Sequence, residues 1–184
     1  MRLMNMADRQ SATPVTHLQA GFAEGTSIRT EHGARAVETL RPGDKVITRY
    51  GKPVAIENVR SMDSHGTVIR VGRNAFNFGT PRRDLFLAPD QLVMLTAPVL
   101  EWLFDCTAAL IPVRHLTAIR GVEEITLTQP QRMISMDLDA PRIVFGSGLA
   151  MATSPLGESH PIRTLSPKDI AELQDHVVEL VAAA

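Results

Sequence analysis

The sequence predicts an all-β domain that closes on a single amphipathic helix. Turn-forming residues recur about every ten positions, which is the spacing of short strands joined by tight turns. The runs between them, such as Lys45-Val46-Ile47-Thr48 and Thr67-Val68-Ile69-Arg70-Val71, are β-branched. The texture then changes at 166–182, where Ile170, Leu173, Val177 and Leu180 or Val181 return at helical spacing.

Residues 1–19 are polar and aperiodic, and read as a flexible leader. The first strand-like run is Thr26 to Thr30, stopped by the turn Glu31-His32-Gly33. Ala36 to Leu40 is a short apolar piece closed by Pro42-Gly43-Asp44, in which Pro presets one turn position and Gly accepts positive φ at the next. Lys45–Thr48 is a strand, Tyr50-Gly51-Lys52 a hairpin tip, and Pro53 to Val59 the returning strand. Further strands are expected at 67–71, 85–87 and 92–95, a short helix at 99–104, extended chain at 109–116, and strands at 131–138 and 142–145. The closing helix has Ser166 as N-cap, Pro167 in its first position and Asp169 in its first turn.

A chain of 184 residues with 44% hydrophobic content suffices for one domain with a real core. The net charge of −1, with Lys and Arg scattered, offers no footprint for nucleic acid. The pair Arg82-Arg83 is a solvated turn. One cysteine, Cys106, excludes a disulfide within the chain and a cysteine-based zinc site. In its apolar setting it reads as a small buried hydrophobe. The six histidines show no metal spacing, and His115 reads as a half-buried structural residue. Gly146-Ser147-Gly148 is a plain turn and not a dinucleotide loop. No cofactor and no metal is therefore expected. No apolar run approaches the roughly 18 residues of a membrane span, and the N-terminus lacks a secretory apolar stretch. The expected location is the cytoplasm, away from membranes.

The stretch Gly21-Phe22-Ala23-Glu24-Gly25-Thr26-Ser27-Ile28-Arg29-Thr30 resembles the opening of bacterial Hedgehog/intein (Hint) domains, Cys-Phe-x-x-Gly-Thr-x-Ile-x-Thr. The likeness continues through Gly33, Val37-Glu38, Leu40, Pro42-Gly43-Asp44, Val46 and Thr48. Arg83-Asp84-Leu85 through Pro89-Asp90-Gln91 is similar to the family's Arg-Asp-Leu-x-x-Ser-Pro-x-His. Leu103-Phe104 through His115-Leu116, and Ser135 to Arg142, follow in the family's order. The resemblance implies a horseshoe of short strands with pseudo-two-fold halves over 20–155. It is preceded by the leader 1–19 and followed by a linker and helix at 156–184.

The same resemblance implies a site, and the site has lost its reactive groups. The family's nucleophile, a Cys or Ser that attacks the preceding carbonyl, matches Gly21, which has no side chain. The Ser/Thr and His that strain and protonate the leaving amide match Ala88 and Gln91, and neither exchanges a proton at neutral pH. The last block's two histidines match Ser135 and Pro141, leaving Asp139 alone between them. The terminal Ala182-Ala183-Ala184 lacks the Asn-Cys or Asn-Ser of a splicing junction, so splicing is not expected. These losses point to a non-catalytic interaction or assembly module with a protein partner that the sequence does not name. Two other readings stand beside it. One is self-cleavage by an atypical nucleophile among Thr26, Ser27 and Cys106. The other is a small-ligand binder in the vacated cleft.

Overall fold

A computed structural model describes residues 21–77, 79–154 and 160–176. The leader 1–19, and the expected helical positions Val177, Leu180 and Val181, lie outside the described residues. In chain order the strands are β1 (Phe22–Ala23), β2 (Ser27–Thr30), β3 (Gly33–Ala36), β4 (Lys45–Ile47), β5 (Pro53–Ala55), β6 (Asn58–Ser64), β7 (Thr67–Val71) and β8 (Leu85–Leu87). They continue with β9 (Leu92–Leu95), β10 (Ala109–Pro112), β11 (Val122–Thr126), β12 (Gln131–Asp137), β13 (Ile143–Gly146), β14 (Leu149–Ala152) and β15 (Arg163–Thr164). Two short helices, α1 (Pro98–Phe104) and α2 (Pro167–Gln174), complete the described elements, along with 3-10 turns at 37–39 and 113–116.

The strands form two open sheets. One has six strands in the order β11-β7-β8-β1-β12-β6. The other has nine, β15-β10-β9-β14-β13-β2-β4-β5 with β3 beside β2. The expected strand 53–59 is two strands, because the chain changes sheet there. Ile56, buried, donates its N–H to Asp44 O, and Glu57 donates to Asp137 O. The expected extended run 109–116 turns after Pro112 into a 3-10 turn, in which Val113 and Leu116 reach the core. The anticipated positive φ appears at Gly43 (92°), and Gly51 at the hairpin tip takes one as well (75°).

One large apolar cluster lies between the sheets. It takes in Phe22, Ile28, Val46, Ile69, Leu87, Val93, Ile111, Ile134 and Met151. Strand β12 lacks clean alternation because Met133, Ile134, Ser135 and Met136 are all buried, so both of its faces are covered.

Helix α2 begins as expected, with Ser166 and Asp169 capping each other's backbone N–H groups. Among the described residues the helix runs to Gln174. His176 donates to Leu173 O, an i→i−3 closure that tightens the last turn. Ile170 and Leu173 enter the main core, which ties the helix to the β domain. Among the described residues no helix is long and apolar enough to cross a membrane.

Candidate functional site

Strand β1 runs between β8 and β12, with Phe22 opposite both Leu87 and Ile134. Both pairings are antiparallel, so one step back along β1 sets Gly21 opposite Ala88 on one side and Ser135 on the other. Phe22, Leu87 and Ile134 share the face toward the main core. The opposite face carries a small cluster of Ala23, Ala88, Met133 and half-buried Phe86. Gly21 and Ser135 continue that face by the two-residue period of a strand.

Gln91 closes this arrangement. It follows the turn in which its own N–H donates to Ala88 O at 2.9 Å, and it is fully buried. The Gly21 N–H donates to Gln91 Oε1 at 2.9 Å. The Gln91 amide nitrogen donates to Ala152 O at 2.7 Å and to Leu92 O at 3.1 Å. One side chain therefore joins β1 of the six-stranded sheet to β9 and β14 of the other. Its one acceptor and both donors are used, which is what a buried amide requires.

Ser135 is the exception to this satisfaction. It is 7% exposed, and its hydroxyl has no hydrogen-bond partner among the described residues. A hydroxyl becomes a nucleophile when a base takes its proton, and no histidine is bonded to this one.

Four of the six positions singled out from the sequence thus come together: Gly21, Ala88, Gln91 and Ser135. Asp139 and Pro141 do not join them. Both are exposed in the turn after β12, where Asp139 takes a two-pronged hydrogen bond from Arg142 (2.7 and 3.1 Å). The Arg142 guanidinium holds the Asp139 carboxyl below the usual carboxylate range. A carboxylate kept ionised in this way does not serve as a general acid.

The other candidates lie elsewhere. Ser27 opens β2 in the nine-stranded sheet, where its N–H donates to Ser147 Oγ. Thr26 is buried beside it, with its backbone carbonyl accepting from Val37. Cys106 follows α1, half-buried rather than buried as expected, and its thiol contacts Leu100 O. Burial pushes that thiol's pKa up, so the reactive thiolate is disfavoured. His115 is half-buried and accepts from the Arg114 guanidinium. Burial and the Arg114 charge lower its pKa, and Asp90 opposes them. Among the described residues no three His, Cys, Asp or Glu side chains group as a metal site. The role of Ala152 was not legible, because a backbone carbonyl leaves no mark on residue type.

A model of the Hint domain matches residues 20–158. A splice-inactive variant of the AceL NrdHF class 3 split intein is similar in structure, with a TM-score of 0.50, 8% identity, and coverage of 74% of this chain and 99% of that one. The bacterial intein-like domain from Clostridium thermocellum gives 0.48 at 13% identity, covering 72% and 96%. The gp41-1 intein gives 0.47 at 10%, covering 72% and 97%. At 8% identity the first of these likenesses speaks for the fold alone. No curated protein matches the chain.

Proposed function

Because this chain belongs to the Hint domain family, we propose that it has lost autoprocessing and works as a non-catalytic interaction or assembly module. The domain we assign is 20–155, with 1–19 and 156–184 as its flanks, acting in the cytoplasm on a protein partner.

One observation carries the reading: the fully buried Gln91 amide accepts the N–H of Gly21. In the family's reaction that backbone nitrogen is the leaving group, and it departs only if it receives a proton. Here the neighbouring side chain presents an acceptor to it. The two Gln91 donors are committed to Leu92 and Ala152 carbonyls. The interaction stabilises the intact amide and offers nothing to a tetrahedral intermediate, which is the reverse of what catalysis needs. The missing Gly21 side chain removes the covalent step as well.

The test is direct. A folded tag is fused ahead of Met1, and the intact mass is recorded before and after incubation with a thiol or hydroxylamine. The mass is expected to stay unchanged in both. Release of a fragment ending at Ala20 would overturn the reading, and Ser135→Ala would then show whether the unpaired hydroxyl is the nucleophile.

A further inference from the structure

Strands β9 and β14 leave the Gln91 region and run side by side, with Met151 opposite Val93. At their far end lies a cavity of about 190 Å³, lined in part by Phe76, Met94, Thr96, Ile119, Phe145 and Ala150. Among the described residues no lining residue carries a charge. Its walls are tied in place by the backbone. Arg82 N–H donates to Ser147 O, Phe76 N–H to Thr80 O, and Gly79 N–H to Asn74 Oδ1. The cavity is pre-formed and smaller than a usual cofactor pocket of about 300 Å³ or more.

A second observation comes from Arg49, on the segment after β4. The bridge between Thr48 and Val144 is antiparallel, and Arg49 N–H donates to Ile143 O. That register sets Arg49 on the same sheet face as Ile143, and Met94, Phe145 and Ala150 pack in the cluster that Ile143 belongs to. Arg49 is half-buried, and its guanidinium donates to the Met94 sulfur. A thioether is a weak acceptor for a group with five donors. Among the described residues the other half-buried arginines, Arg35, Arg70 and Arg142, each pair with a carboxylate, whereas Arg49 does not; the remaining arginines without one are exposed.

We propose that this cavity and Arg49 together form a binding site for a small monocarboxylate with an apolar tail. The tail lies between Phe76, Phe145 and Met94, and the carboxylate takes the Arg49 guanidinium from the Met94 sulfur. An Arg–carboxylate pair is planar and two-pronged, so it exceeds the thioether contact in both geometry and charge. The size of the cavity limits the tail to a phenyl or a branched alkyl group. The site is separate from the Gly21 region, and its occupancy does not depend on whether cleavage has been lost.

The experiment uses the full chain with methionine methyl groups labelled, titrated with 3-phenylpropionate and with its neutral amide. The acid is expected to move the Met94 resonance saturably and to bind about tenfold more tightly than the amide. Arg49→Gln should erase that difference with the other methionine resonances in place. Thr96→Trp, a change at an exposed rim residue, should block both probes. Absence of a saturable shift, equal binding of acid and amide, or an unaltered preference in Arg49→Gln would each overturn the proposal.

Discussion

The two ends of the β9–β14 pair solve opposite problems. At one end Gln91 is fully buried, and every polar atom of its side chain is matched. At the other a half-buried arginine rests on a thioether beside an open cavity. A satisfied polar network adds rigidity and has no donor left to give, whereas an under-satisfied cation can still gain from a ligand. Polarity at the positions of the family's catalytic centre is thus no guide to activity unless the hydrogen bonds are counted. The Gln91 end is built to hold, and the Arg49 end is free to bind.

The largest expected effect breaks the closed end. Gln91→Leu fills similar space but leaves Gly21 N–H, Leu92 O and Ala152 O without that partner. Each lost partner of a buried group costs about 1–3 kcal/mol, so a loss of about 3–5 kcal/mol is expected from urea unfolding. A cost below about 1 kcal/mol would show that the stitch between the sheets is not a stability element. Ser135→Ala should run in the other direction. It removes a buried hydroxyl that has no partner among the described residues, and a gain of about 0.5–1 kcal/mol is expected by the same measurement. A loss would mean that the hydroxyl is bonded in solution.

The open end should respond to acid, and the closed end should not. Asp84 accepts from Arg73 N–H and from the Arg70 guanidinium, and so pins both ends of the loop that carries Phe76 and Thr80. The Arg73 backbone bond, then Arg70, hold its pKa below the usual carboxylate range. A depressed folded pKa means that its stabilisation is present above the unfolded value and lost as pH falls through the folded one. Below about pH 4 the Met94 methyl resonance should therefore shift before Met133 does. Asp84→Asn should remove that early step. Simultaneous shifts of both methionines would show that the two ends melt together.

Legibility in the sequence followed burial. Strand β4, with Lys45 exposed and Ile47 half-buried on one face, was visible as a β-branched run between turns, and β7 was visible by its branching alone, since Val68 and Ile69 are both buried. Strand β14 was missed because Leu149, Ala150, Met151 and Ala152 are all buried, and a strand covered on both faces carries no period-two signal. Strand β3 was missed for the opposite reason: Gly33-Ala34-Arg35-Ala36 has neither bulk nor branching. At the site, Gly21 came from the match of the opening string, and Ala88, Gln91 and Ser135 came mainly from the order of the later motifs. What Gln91 does there depends on a carbonyl 61 residues away, which any residue could supply. Arg49 was invisible, since an arginine in a strand-like run reads as a solvated charge until its partners are known.

The smallest expected effect sharpens the comparison most. Arg49→Met replaces the guanidinium with another thioether in the same half-buried place. If the Arg49 end is held open for a ligand, the arginine adds little to the empty fold, and its removal should change unfolding free energy by no more than about 0.5 kcal/mol. The charge itself has no carboxylate to lose among the described residues, and the alkyl stem that packs near Met94 is retained in part. A destabilisation as large as that of Gln91→Leu would mean that the Met94 contact is structural. The two ends would then differ only in exposure, and the capacity to bind would have to be sought elsewhere on the molecule.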